Sequence, residues 1–267
     1  MDRRVFVKIF LASTGASLLS ARSLRLIAAD PTKVAKNAAI QNSKLWPAIR
    51  VCYQCIDLLN DVDDYEAVFV KRERFGRKLE ECAMRMKIRH NPFSVYLLFG
   101  KPHEGREVIY VDGQNEGEML VHETGLKSIV GTVSVDPEGD RAMEDNHHPI
   151  TSIGMKKMVI KLVKQWEENA VLPDAEVKYY PKATIGEVPC KVVEVKNPRP
   201  VRGAAFHLTR LYIHDESNFP IRVQQYSFPK EKGEEPQLYE EYTYMNVKPD
   251  VGLQDIDFDA KNPKYNY

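Results

Sequence analysis

No stretch of this 267-residue chain is a long, uninterrupted apolar run. A membrane-spanning helix needs about 20 such residues, so no transmembrane segment is expected. Net charge is also missing, with 38 basic residues standing against 38 acidic ones. Without a basic surplus there is no electrostatic footprint for nucleic acid, and that class of partner is set aside. Cysteine is scarce: Cys52, Cys55, Cys82 and Cys190 are the full set, and none lies in the first 29 residues, which excludes a lipoprotein anchor there. There is no internal repeat, no low-complexity tract, and no Pro/Gly-rich linker after residue 42. Gly-x-Ser-x-Gly is absent, so a serine nucleophile has no support. No glycine loop cradles a phosphate, since Gly113–Gly117 reads as a hairpin turn. No His-x-x-x-His spacing exists for a metal. These absences leave no catalytic residue, no metal ligand and no cofactor to name.

The first segment that is present looks like an export signal. Residues 1–29 hold five of the basic residues (Arg3, Arg4, Lys8, Arg22, Arg25) and one acid, Asp2. The remainder therefore carries 33 basic and 37 acidic residues, a formal charge of −4. The run Arg3-Arg4-Val5-Phe6-Val7-Lys8, followed by the modestly apolar Ile9–Ala21, is similar to a twin-arginine signal, with a Sec signal as the other reading. Either route places the protein beyond the inner membrane, as a soluble periplasmic protein cleaved near Ala28-Ala29. Residues 30–42 then read as a linker and 43–267 as one domain.

The most informative stretch runs from Asp63 to Gly113. With Gly76-Arg77 at a two-residue type II′ turn, antiparallel partners have numbers summing to 153. Tyr65 then meets Ile88, Ala67 meets Met86 and Phe69 meets Met84, while Glu66 meets Lys87 and Arg72 meets Glu81. Apolar faces apolar and opposite charges face each other, as in a sheet wet on one side. Glu73 opposite Glu80 is the one discordant pair. Further strands are expected at 93–99, 106–112, 118–123 and 129–135, with 136–149 as loop. Five more are expected at 176–180, 190–196, 205–213, 221–228 and 238–247. One helix, capped by Ser43, runs to about Asn60, with Leu45, Trp46, Ile49, Cys52, Tyr53, Ile56 and Leu59 on one stripe. A second, capped by Thr151 and ended by Pro173, aligns Met155, Met158, Val159, Leu162, Val163 and Trp166. Cys52-Tyr53-Gln54-Cys55 falls mid-helix, away from the free N–H groups that activate a redox thiolate, so packing is its role. An oxidising compartment would allow a Cys82–Cys190 disulfide, which spacing alone does not establish. The architecture implied is α+β, mostly β: a curved antiparallel sheet with two main helices on its concave side.

The motifs DYEAVFVKRER, MKIRHNPFSVYLLF, GREVIYVDG, TVSVDPEG and HHPITSIG resemble a bacterial family of unknown function, number 1571, known mainly from planctomycetes. The second half, LTRLYIHDESNFPIRVQQYSF and LYEEYTYMNVKPDVGLQDIDFDAKNPKY, resembles the periplasmic lipoprotein carriers of the LolA/LolB type. That resemblance implies a half-open barrel with helices plugging its mouth, and a carrier activity more weakly, because one fold hosts many roles.

Three functions compete on these residues. A carrier of a lipid or lipoprotein acyl chain needs an adaptable apolar hollow, for which Trp46, Phe69, Met84, Met86, Ile88, Met155, Met158 and Trp166 are the candidate lining. A scaffold or protein-interaction module of the cell envelope, with a fully packed core, fits the composition equally well. An enzyme would have only Glu144-Asp145-Asn146-His147-His148 as a cluster of acids and imidazoles. Asp255, Asp257 and Asp259 lack the glycine and distal glutamate of a calcium loop, and read instead as an acidic strand edge.

Overall fold

The computed structural model describes residues 38–125, 131–172, 174–231 and 233–267. The leader, residues 129–130 of the expected sixth strand, and Pro173 lie outside the described residues. Within the stretch read as linker, residues 38–41 form a helical turn, and Ile40 is buried against the core.

Eleven strands form one sheet: β1 (Asp64–Phe75), β2 (Lys78–His90), β3 (Phe93–Phe99), β4 (Glu107–Val111), β5 (Met119–His122), β6 (Thr132–Val135), β7 (Glu176–Ile185), β8 (Val188–Lys196), β9 (Leu208–His214), β10 (Pro220–Tyr226) and β11 (Leu238–Pro249). Their order is β6-β5-β4-β3-β2-β1-β11-β10-β9-β8-β7, and every neighbouring pair is antiparallel. The sheet is curved and unclosed, because β6 and β7 are edges that do not pair with each other. The fold is thus the mostly-β, half-open architecture expected. The β1–β2 register is the one expected, from Asp64 opposite Arg89 to Phe75 opposite Lys78. Gly76 has φ +61° and Arg77 does not share it, as a type II′ turn requires.

Two long helices cover the concave face, α1 (Trp46–Asn60) and α3 (Met155–Asn169). Between β6 and α3 a short helix, α2 (Asp140–Met143), interrupts what sequence reads as plain loop. Neither long helix starts on its expected cap. Ser43 Oγ donates to the Ile40 carbonyl and closes the preceding turn, so α1 begins at Leu45 without a side-chain cap. The residue preceding α3 is Gly154, at φ +110°. That backbone conformation favours glycine, and a Cβ would also crowd Ile88 Cδ1 at 2.7 Å and the Tyr65 hydroxyl at 3.2 Å. The caps are tertiary: the Tyr244 and Tyr65 hydroxyls accept from the Gly154 and Met155 amides, each at 3.0 Å.

Sequence reasoning leaves the second face of the sheet wet, and over β3–β5 it is not. Tyr96, Ile109 and Val111 point away from the helices and are buried by the C-terminal segment, through Leu253, Phe258, Tyr265 and Tyr267. The Tyr265 ring stacks on Tyr96 with centroids 4.0 Å apart. The aspartates at 255, 257 and 259 are not a strand edge. Asp255–Phe258 is a 3-10 turn, in which Asp255 pairs with Arg89 at 2.7 Å and Asp257 with Lys87. β4 is buried at all five positions, so its run Glu-Val-Ile-Tyr-Val is the mark of a strand covered on both sides.

Candidate functional site

The concave face is filled unevenly. Over β8–β10, α1 and α3 interlock with Val193, Val195, Leu211, Ile213 and Val223 to make a solid core. Over β1–β6 and β11 the covering is α3 as far as Gln165 and the loop 136–153, and beneath it lies a cavity of about 460 Å³ that reaches Val223 and Gln225 at the border of the solid half. That volume is within the range of about 300–1,000 Å³ of small-molecule sites. Phe69, Met84, Leu97, Val108 and Val121 form its apolar floor, and Ile150, Ile153 and Met158 its roof.

The candidate lining residues divide accordingly. Phe69, Met84 and Met158 border the cavity. Met86, Ile88 and Met155 lie beside it in the same core, fully packed. Trp166 is completely buried in the solid half, and Trp46 sits at the edge of that half, edge-on to Tyr53 at 6.5 Å. The first group shares the hollow; the other five residues do not border it.

The cavity is amphipathic, and its polar end is what sequence reading missed. Along the concave side of β1, Phe69 gives way to Lys71 and Glu73. Across the strands, Glu80, Glu73, Glu240, Gln225 and Thr209 are register partners in one row through β2, β1, β11, β10 and β9. The discordant Glu73–Glu80 pair was its visible trace. The clash is relieved because each carboxylate has its own lysine: Lys71 at 3.0 Å from Glu73, and Lys78 at 2.7 Å from Glu80. Glu73 and Glu240 are both about 2% exposed. Tyr242 donates its hydroxyl to both, at 2.5 and 3.3 Å.

The loop carrying Glu144–His148 closes over this row. Lys71 holds the Asp145 carbonyl at 2.8 Å and also bonds Asn146. The His147 amide donates to Glu73 at 3.2 Å. Its ring nitrogens face two acceptors, Glu240 at 3.0 Å and the Arg74 carbonyl at 3.3 Å, both of which are satisfied when the ring carries two protons. Burial alone would lower the His147 pKa, but the bond to Glu240 and the charges of Glu73 and Glu240 outweigh it, and the pKa is raised. Glu240 is the mirror image. Desolvation pushes its carboxyl up, yet the bonds from His147 and His148 bring it down to about 2. His148 reaches Glu240 through Nε2 at 3.2 Å, and Lys161 Nζ lies 2.8 Å from its Nδ1. The imidazoles are thereby engaged by protein groups, and among the described residues no cluster of three or more His, Cys, Asp or Glu is disposed to hold a metal.

All four cysteines are free and buried, so the Cys82–Cys190 bridge is not formed. Burial raises the Cys55 thiol to about 12 and puts Cys52 well above its ordinary value, the reverse of a reactive thiolate. No helix among the described residues is long and apolar enough to cross a membrane.

No curated protein matches the chain. Among solved structures it is similar to the lipoprotein LppX of Mycobacterium tuberculosis, with 12% identity, 80% of this chain and 99% of that one covered, and a TM-score of 0.46. It is similar to LprF of Mycobacterium bovis, with 11% identity, coverage of 79% and 97%, and a TM-score of 0.43. A third likeness is to a DUF1329 family protein from Desulfovibrio piger, with 11% identity, coverage of 82% and 98%, and a TM-score of 0.38. A family model described as a protein of unknown function (DUF1571) matches residues 62–267.

Proposed function

The chain belongs to the family described as a protein of unknown function (DUF1571), and from the hollow that this chain keeps we propose that it is an exported, non-catalytic binding protein carrying a lipid or lipoprotein acyl chain. One observation carries the reading: a cavity of about 460 Å³ persists under the loop 136–153 while the other half of the same concave face is packed solid. Packing to crystal density is the rule inside proteins, so a hollow of this size with an apolar floor and roof supports a ligand rather than a scaffold core. Phe69, Met84 and Met158 are the contacts assigned to the acyl chain, and the unbranched thioethers suit a variable guest. Burial of each methylene contributes about 0.8 kcal/mol, so an acyl chain binds without covalent chemistry.

The test is native mass spectrometry and lipid extraction of protein purified from its own periplasm. A stoichiometric lipid adduct is expected, and delipidated protein is expected to take up fatty acid or phospholipid. Protein that carries no lipid and binds none after delipidation, but captures a stoichiometric envelope protein, would replace this reading with the scaffold.

A further inference from the structure

The polar end of the cavity has a charge left over. Glu80 is matched by Lys78, Glu73 by Lys71, and Glu240 by His147. On the same wall Arg106 is matched by Glu123 at 2.9 Å. Among the described residues Lys161 has no carboxylate partner. Its ammonium lies 2.8 and 2.9 Å from the two ring nitrogens of His148, and no salt bridge reaches it. The near-equal distances place Nζ beside the Cε1 edge of the ring and not along either nitrogen's lone pair, so the imidazole does not match the ammonium as a carboxylate would. An ammonium has three donors, and none of them meets a carboxylate here.

Lys161 stands on α3 three residues after Met158 and four before Gln165, and all three border the cavity. Residues at that spacing share one helix face. The helix therefore presents a greasy position and then a cation and an amide to the same hollow. Gln165 is held in turn by Thr209, at 3.2 Å, and by Gln225, at 2.6 Å. Lys161 reaches solvent at the mouth, yet protein crowds it enough that desolvation lowers its pKa despite the nearby Glu240 and Glu73. A partly desolvated cation at the end of an apolar hollow is stabilised by an anion arriving with the apolar chain. The loop adds one cation, Arg141, and two acids, Glu144 and Asp145, to the lining, so there is no general positive field, and Lys161 is the cation that the helix sets beside the apolar Met158.

We infer that the cavity takes an acidic amphiphile, with Lys161 pairing to a carboxylate or phosphate head group while the acyl chain lies on Phe69, Met84 and Met158. This deepens the carrier reading and depends on it. The probes are oleic acid against its methyl ester, and dioleoyl phosphatidate against dioleoylglycerol, each titrated into delipidated full chain. The acid member of a pair is expected to bind about tenfold tighter or more, the effect of one charge-assisted contact. A preference within the first pair alone marks the carboxylate as the head group, and within the second alone the phosphate. Lys161→Met is expected to bring the acid down to its neutral partner and leave the neutral ligand unchanged, while Lys161→Arg keeps the preference. Equal binding of acid and neutral partner by the wild type, or a preference that survives Lys161→Met, overturns the head-group site while leaving the carrier reading intact. Failure of all four probes to bind overturns the carrier reading and this inference with it.

Discussion

Met86 and Met84 are neighbours on one face of β2, and Met155 and Met158 are neighbours at the start of α3. In each pair one methionine is locked in solid core and the other borders a hollow. Residue type does not distinguish them. What differs is whether the cavity reaches them, and the same contrast runs across the whole face: over β8–β10 two amphipathic helices interlock with the sheet, and over β1–β6 a loop with one short helix stands off it. The loop is fastened at a polar rim, through Glu73, Glu240 and Lys71, and its Ala142, Ile150 and Ile153 pack on the core around the void.

The largest expected effect attacks the solid half. Trp166→Ala should cost about 3–5 kcal/mol in urea denaturation, the range for deleting a buried large aromatic. Met158→Ala, at the roof of the hollow, should cost about 1 kcal/mol, since space already adjoins it. Equal costs would show that the two halves are packed alike. Next comes the acid limb. Glu240 falls from 4.5 to about 2, so its contribution is fully present above 4.5 and is lost as pH drops through about 2. That is on the order of 3 kcal/mol. Glu240→Gln should flatten this limb, and an unchanged one would remove Glu240 as its source.

A smaller effect distinguishes the paired methionines directly. Met86→Phe adds volume to full core and should destabilise by about 1–3 kcal/mol. Met84→Phe has room beside it and should cost less than about 1 kcal/mol while reducing uptake of fatty acid. If Met84→Phe is the more damaging, the hollow is not where the acyl chain lies.

The helices and the first hairpin were largely legible in the sequence. The helical stripes of α1 and α3 and the β1–β2 register follow from periodicities of 3.6 and 2, which neighbouring residues carry. The polar end of the hollow was not, because its defining features are long-range. Glu73, Glu240 and Gln225 come together only when β1 pairs with β11 and β11 with β10, and no local pattern announces either pairing. The only local hint was Glu73 facing Glu80 across an otherwise concordant hairpin. The C-terminal strap was misread for a related reason. Alternating aspartates suit an exposed edge, and only the packing of Tyr265 on Tyr96 shows that they turn back to meet Arg89 and Lys87. Caps failed where tyrosine hydroxyls, distant in sequence, did the work of Thr151.

The smallest expected effect tests the fastening of the lid itself. Desolvation lowers the His147 pKa, but its bond to Glu240 and the charges of Glu73 and Glu240 raise it further, so the folded value stands above the ordinary 6.5. A group raised on folding contributes stability that is complete below pH 6.5 and fades as pH climbs through the folded pKa. As pH climbs from 6.5 through that raised folded value, His147 should lose its charge while Glu240 keeps its own, and the rim loosens without the core unfolding. Among the described residues of the solid half no imidazole ties sheet to helix, because β8–β10 meet the helices there through aliphatic side chains and the uncharged Gln165, Thr209 and Gln225. Hydrogen exchange measured across this range should therefore show amides of 144–149 speeding up beyond the intrinsic base-catalysed increase, with those of α1 unchanged. In His147→Gln the difference between the two segments should no longer depend on pH. A loop that exchanges in parallel with α1 across the range would mean that apolar contacts, and not the imidazolium, hold the cover down.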